Sequence, residues 1–261
     1  MSFFNLVKRA KEDSKSEICV GLDLAAFGTR LDFTINKEDK KLDILLNLIE
    51  SLSPYCCCFK VNRQYMLDLS HPEIKQVTQK AHAFSRPIIV DHKLSDIGAT
   101  NEQAINAIAQ EGFDSFIFSP FPGNIQETCS FSHNYNLTSI MLVLMSNPEA
   151  VWMKTAKINN IPFFQYYAKL ANKYADGAVV GATNHVGENE LKIINEELID
   201  KFILVPGIGA QGGDVEKIIR IFKNNVLINI GRSIIYQKNP VEALKSQNKV
   251  INSIKQYIYT S

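Results

Sequence analysis

Short, uninterrupted apolar runs recur along the whole chain, at 18–24, 56–61, 87–90, 115–118, 139–145, 178–180, 202–205 and 226–230. They are rich in Val, Ile, Leu, Phe and Cys. A run that is apolar at consecutive positions, rather than at every second one, belongs to a strand buried on both faces, the condition of a parallel sheet covered by helices. Between the runs, apolar residues fall at helical spacing. Leu42, Leu45, Leu46 and Ile49 share one face, and Ala104, Ile105, Ile108 and Ala109 another. Ile218, Ile219 and Phe222 share a third, and Leu244, Val250, Ile251 and Ile254 mark a last helix. Strand and helix alternating in this way predict the α/β class and a single (β/α)8 TIM barrel, with an extra N-terminal helix before the first run. No Pro/Ser/Gly-rich linker divides the sequence, so residues 1–261 are expected to form one domain.

Charge narrows the partners. The 28 Lys and Arg nearly cancel the 27 Asp and Glu, for a formal +1. That balance lacks the bulk electrostatic attraction used by nucleic-acid and anionic-membrane binders, so any anion site must be local. The 5 cysteines, Cys19, Cys56, Cys57, Cys58 and Cys129, have neither the spacing of a disulfide framework nor that of a metal site. Flanked by Tyr55 and Phe59, the consecutive three read as small apolar residues of a buried strand, which points to a reducing compartment. The N-terminal segment MSFFNLVKRAKEDSKS has no long apolar stretch and carries Glu12 and Asp13, unlike a targeting peptide. The longest aliphatic runs, such as 140–145, are too short to cross a bilayer. A cytoplasmic protein is expected. His71, His82, His92, His133 and His185 are scattered without ligand spacing, so no metal is expected, and Trp152 reads as loop packing.

In a barrel of this kind the active site lies where the strands end at their C-terminal side. The polar residues at the ends of the runs are Asp23, then Lys60 and Asn62, then Asp91, His92, Lys93 and Asp96, and later Ser146. A lone polar residue at a strand end is ordinary; the whole set is not. Asp91 and Lys93 are two apart and therefore share a side of a strand. A lysine held between Asp91 and Asp96 stays protonated and is a positioned proton donor. Asp96, standing just before Ile-Gly-Ala-Thr-Asn, is equally well placed to cap a helix. The seventh run enters Pro206-Gly-Ile-Gly-Ala-Gln211-Gly-Gly213, and the eighth ends in Gly231-Arg232-Ser233. Gly207, Gly209 and Gly212 spell G-x-G-x-x-G, but on the seventh strand, with Arg232 where a dinucleotide fold places an acid at the end of the next strand. The alternative is the barrel phosphate site formed by the loops after strands seven and eight, with glycine-freed N–H groups, Arg232 and Gln211 as donors.

These segments together resemble orotidine 5′-phosphate decarboxylases, most of all the longer bacterial and protozoan branch. Asp91-His-Lys93-Leu-Ser-Asp96-Ile97-Gly-Ala-Thr100-Asn is similar to that family's D-x-K-x-x-D-I-x-x-T-N segment. Val20-Gly-Leu-Asp23, Phe59-Lys-Val-Asn62, Leu144-Met-Ser146-Asn-Pro148, Gly177-Ala-Val-Val-Gly-Ala-Thr183 and the two glycine-rich segments come in the family's order. Leu24 and Ala99 depart from its usual Pro and Asn, and Asn184-His185 is less familiar. The resemblance implies cofactor-free decarboxylation of orotidine 5′-monophosphate to UMP. Lys93 would protonate C6, Asp91 would crowd the carboxylate and hold Lys93, and Lys60, Asp23 and Asn62 would lie by the ribose. Ser146 would bind the pyrimidine, and Pro206, Gly209, Gln211, Gly231 and Arg232 would surround the phosphate. Asp96, Ile97 and Thr100 would come from a partner subunit, implying a homodimer, and association with orotate phosphoribosyltransferase is open. The loop 206–213 is expected to close over the phosphate. Two rival readings are a magnesium-dependent sugar-phosphate decarboxylase or aldolase on the same barrel, and a non-catalytic nucleotide-binding protein. The first conflicts with Lys60, which stands where those relatives have a metal-binding Glu.

Overall fold

The computed structural model describes residues 3–25, 40–183, 185–208 and 214–260. Its strands are β1 (Ile18–Gly21), β2 (Cys58–Asn62), β3 (Ile88–Leu94), β4 (Ser115–Phe118), β5 (Thr138–Leu144), β6 (Gly177–Val180), β7 (Phe202–Pro206) and β8 (Val226–Ile230). Each pairs in parallel with the next, and β8 pairs with β1, so the sheet closes on itself. The main helices are α1 (Phe3–Ser14), α2 (Lys41–Leu52), α3 (His71–Ala83), α4 (Gly98–Gln110), α5 (Ile125–Asn134), α6 (Phe163–Tyr174), α7 (Glu188–Glu197), α8 (Val215–Phe222) and α9 (Pro240–Thr260). This is the expected (β/α)8 barrel. A small antiparallel ribbon, Lys157–Ile158 with Ile161–Pro162, is inserted after β5. Among the described residues no helix is long and apolar enough to cross a membrane.

The two-residue period of a strand decides what fills the barrel. Inside, Cys19, Cys58, Ile89, Ile117, Ile140, Leu142, Val179, Leu204 and Leu227 form a dry plug. Beneath it α1 lays Phe3, Val7 and Ala10 across the N-terminal mouth, with the Phe3 ring 5.4 Å from that of Phe202. Those three share one helical face. Cys56 belongs to the outer, helix-facing core instead. All of the cysteines are buried and free, and burial pushes the Cys129 thiol up to about 11. Outside, the alternate strand residues meet the helices: Leu45, Leu48, Ile49 and Leu52 of α2, Ile105 and Ile108 of α4, and Ile218, Ile219 and Phe222 of α8. Two apolar positions depart from the expected faces. Leu48 is buried where Leu46 was expected, and Val250 is exposed, because α9 buries Leu244 and Ile251 one position further round.

β3 also departs from a regular strand. It runs on to Leu94, and its register with β4 slips between Val90 and Leu94. The slip is taken up by Lys93, whose φ is 50°, a left-handed conformation that a residue with a Cβ rarely adopts. Such strain persists only where the surroundings fix it, and it is concentrated at functional sites.

At the opposite, N-terminal rim one clamp occurs twice. His82, in the last turn of α3, contacts Asp114, whose carboxylate also accepts the N–H of Ile88 at 2.8 Å. His133, in the last turn of α5, contacts Asp176, which accepts the N–H of Ser139 at 2.8 Å. Each ties a helix end to the starts of two adjacent strands. The bond to Asp114 raises the His82 pKa above its ordinary 6.5. A raised folded-state value means that the stabilisation is complete below the unfolded value and is lost as pH rises through the folded one. His82→Gln should therefore lower the urea midpoint more at about pH 5.5 than at about pH 8.5; an equal loss at both would refute this coupling.

Candidate active site

Continuing six of the inward-facing rows beyond the apolar plug gives the mouth. Cys19 leads to Gly21 and Asp23, Cys58 to Lys60 and Asn62, Ile89 to Asp91, Val179 to Gly181, Leu204 to Pro206, and Leu227 to Asn229 and Gly231. The same periodicity that packs the core thus sets the functional side chains above it.

Lys60 is the centre. It is 4% exposed, and its ammonium lies 3.6 Å from Asp23 Oδ1 and 3.5 Å from Asp91 Oδ2. Burial alone would lower its pKa, but the two carboxylates outweigh that and raise it above the ordinary lysine value. Asp91 mirrors it: burial favours the neutral acid, but Lys60 and Lys93 overcome this and hold the carboxyl below its ordinary value. Lys93 Nζ lies 2.8 Å from each Asp91 oxygen. The row Asp23, Lys60, Asp91, Lys93 therefore alternates in sign. Asp23 is fixed further by the N–H of Asn62 at 2.8 Å, and Asn62 Oδ1 accepts the N–H of Gln64.

Two joined cavities open onto this row. The larger, of about 390 Å³, is lined by Lys60, Asp91 and Lys93 on one side and by Ile117, Leu142, Val179 and Leu204 on another, with Ser146 at its rim. The smaller, of about 180 Å³, has Asp23, Gly207, Gly231, Arg232 and Asn229 on its walls. Lys60, Asp91 and Pro206 border both. The first suits a flat ring with a polar edge. The second has the glycines and guanidinium of an anion site: Gly207 has a φ of 92°, and Gly231 precedes the short helix Arg232–Ile235. Two glycines stand at close approaches, Gly181 at one that a Cβ could not enter without a shift and Gly231 at a tight one. A Cβ on Gly181 would stand 2.6 Å from Ser146 Cβ, and one on Gly231 3.2 Å from the Gly21 carbonyl oxygen.

Lys60, Asn62, Asp23, Asp91, Lys93, Ser146, Pro206, Gly231 and Arg232 are thus brought to one mouth. Gly209 and Gln211, and with them most of the loop whose closure was expected, lie outside the described residues. Asp96 is not beside Lys93 within the chain. Its Oδ1 accepts the N–H of Ile97 at 2.8 Å, and its carbonyl accepts from Asn101 Nδ2. Nor is it the cap of α4, which starts at Gly98 with Ile97 in the capping position. Asp96, Ile97 and Thr100 are exposed, Ile97 by 62%, and line neither cavity.

Three contributions were not anticipated from the sequence. Asn229 lines the smaller cavity and binds the Cys19 carbonyl at 3.0 Å; an Asn within the apolar run 226–230 was the available signal. Tyr236 donates to the Asp23 carbonyl and accepts the N–H of Ala25, pinning the chain beyond β1. Behind β2, Arg63 grips the buried Glu111 through two bonds of 2.6 and 2.9 Å. His92 faces that pair, and burial, then Arg63, lowers its pKa. Trp152 packs on Phe163, their ring centroids 4.9 Å apart.

The chain is 28% identical over 253 residues to the orotidine 5′-phosphate decarboxylase of Janthinobacterium sp. (strain Marseille), covering 91% of each. It is 28% identical over 212 residues to that of Methanocaldococcus jannaschii, covering 80% of this chain and 93% of the relative. The structure of Leishmania donovani OMP decarboxylase has the same fold, with a TM-score of 0.82 at 21% identity, over 98% of this chain and 100% of that one. The sequence profile of the orotidine 5′-phosphate decarboxylase / HUMPS family matches residues 16–247, and the chain belongs to that family.

Proposed function

We propose that the protein decarboxylates orotidine 5′-monophosphate to UMP without a cofactor, and that Lys93 delivers the proton. The observation that carries this reading is the alternating row Asp23, Lys60, Asp91, Lys93 at the junction of a ring-sized and an anion-binding cavity. In this reading the pyrimidine occupies the larger cavity with Ser146 at its edge, the ribose passes Asp23, Lys60 and Asn62, and the phosphate meets Arg232 with Gly209, Gln211 and Gly231. Loss of CO2 leaves an electron pair at C6, in the plane of the ring, where the π system stabilises it poorly. Stabilisation must then come from fixed charge, and Lys93 is the ammonium best placed to supply it and then to transfer its proton to C6. Asp91 holds that ammonium and places a negative charge beside the departing carboxylate.

The magnesium-dependent sugar-phosphate reading fares worse. A buried lysine between Asp23 and Asp91 already neutralises the carboxylates that a divalent cation would need. Asp96, Ile97 and Thr100 fit a shared site: they are exposed, next to the catalytic strand, and contribute nothing to their own chain's cavities. A homodimer, with these residues reaching the partner's mouth, gives them a use. The enzyme is proposed to work in the cytoplasm, and a non-covalent complex with orotate phosphoribosyltransferase stays open to test.

Two experiments check this. In EDTA, the absorbance change of orotidine 5′-monophosphate should report rapid turnover by the wild type. Lys93→Ala should lower kcat by at least about 100-fold, the lower end of what a positioned acid contributes. Arg232→Ala should chiefly raise KM, by about 10-fold or more, the worth of a charged hydrogen bond. Turnover that requires Mg²⁺, or a Lys93→Ala enzyme of full activity, would sink the reading. The shared site is tested by mixing two inactive variants, Lys93→Ala and Asp96→Ala. Each hybrid dimer then has one intact site and should recover about half of the wild-type rate; mixtures that stay inactive while exchanging subunits would overturn it.

A further inference from the structure

One cavity exceeds either chamber of the active site in volume and lies away from it. A cavity of about 530 Å³ lies at the opposite mouth of the barrel, between α1, the end of α9 and the strand starts. Its floor is apolar, made by Val7, Phe202 and Leu227. Phe4 stands at its edge, 42% exposed, a large ring left facing solvent.

The walls are basic. Lys8, Lys11 and Lys15 come from one side of α1 and the residue after it, and Lys255 from α9, against only Glu12 and Glu17. In a chain whose charges almost cancel, this is a local concentration of positive charge. Lys11 and Lys255 both pair with the buried Glu17, so one carboxylate faces two ammonium groups at the back wall. Lys11 also donates to the carbonyls of Asn224 and Val226, which fixes it in place. Lys8 and Lys15 have no ion-pair or hydrogen-bond partner through their side chains among the described residues. Both are exposed and line the same cavity. Asn224 and Asn225 also line the cavity, and an asparagine amide can both donate to and accept from a heterocycle edge.

We propose that this cavity is a second binding site, for a phosphorylated small molecule with a planar heterocyclic ring, of the nucleoside phosphate class. The ring would lie against the exposed Phe4, over the floor of Val7, Phe202 and Leu227, and the phosphates would meet Lys8 and Lys15. The volume is within the range of small-molecule sites, and an apolar floor with a few convergent polar groups is their usual make-up. None of these residues belongs to the mouth that carries Lys60 and Lys93.

ATP and UTP are the probes. Calorimetric titration would use the full-length protein, with the active site first saturated with UMP. One binding event per chain is expected, weakened by about 10-fold when NaCl rises from low to physiological strength, as screening of a lysine-held polyanion requires. Methyl resonances of Val7 and Leu227 should shift in the same titration. The double variant Lys8→Glu, Lys15→Glu changes only exposed side chains. It should lose the event by at least about 10-fold while UMP binding and turnover stay as in the wild type. No heat and no Val7 or Leu227 shift in the wild type would overturn the proposal, as would unchanged binding by the double variant. The double variant reads the N-terminal mouth and Arg232→Ala reads the C-terminal one, so failure here is distinct from failure of the proposed activity.

Discussion

A protonated lysine inside a barrel is the constraint around which this structure is arranged. An isolated ammonium moved out of water costs several kcal/mol even after relaxation, and it survives only when its neighbours neutralise it. Lys60 sits on β2, and β2 lies between β1 and β3. The register pairs Lys60 with Gly21 on one side and with Ile89 on the other. Two residues further along each of those strands, on the same inward face, stand Asp23 and Asp91. The counter-charges are thus supplied by the parallel ladder itself, one step above the cation on each flank. A shift of either strand by one residue would turn its carboxylate outward and leave the lysine unpaired.

The shape of the mouth depends on residues that lack side chains. Gly181 lets the segment after β5 press Ser146 against the end of β6, and Gly21 and Gly231 let the ends of β1 and β8 approach within contact. Without those approaches the polar groups would ring a wider opening in which water competes for every charge. Lys93 meets the same demand differently. An ordinary strand would continue past Asp91 with the bulk of β3 still paired to β4. The left-handed backbone at Lys93 breaks that pairing and returns its ammonium to both oxygens of Asp91. The next residue, Leu94, is buried and again pairs with Phe118 of β4, so the bulge is bracketed by regular pairing.

How much of this was legible depended on whether the signal was periodic. The barrel was, because strands buried on both faces and helices buried on one leave runs that composition alone exposes. The row of charges was too, since strand ends are where such runs stop. The bulge at Lys93 was not, for nothing in Asp-His-Lys-Leu announces a positive φ. The surroundings of Asp96 within the chain were not legible for a related reason. Spacing of three residues from Lys93 suggests contact, but the chain turns outward after Leu94 and gives the carboxylate to the N–H of Ile97. Asn229 and Tyr236 act through contacts over 200 residues away in sequence, which no local pattern encodes.

The charge count of the row bears on why such a site would need a second anion site at all. Asp23, Lys60, Asp91 and Lys93 sum to zero. In the proposed reaction a carboxylate enters beside Asp91, and nothing in the row is left over to neutralise it. Binding at that end is therefore unfavourable in the ground state, and the free energy to hold the ring there must come from elsewhere in the ligand. The cavity lined by Arg232, Gly207 and Gly231 is where it can come from, and its walls include Lys60 and Asp91. An anion gripped there lies beside Lys60 and beside Asp91, which holds Lys93. Remote binding then favours the state in which the reacting carboxylate has gone, since CO2 departs neutral and leaves its electron pair facing an ammonium rather than a second carboxylate. The joined cavities and the neutral row are two halves of one requirement: affinity supplied at one end and repulsion relieved at the other.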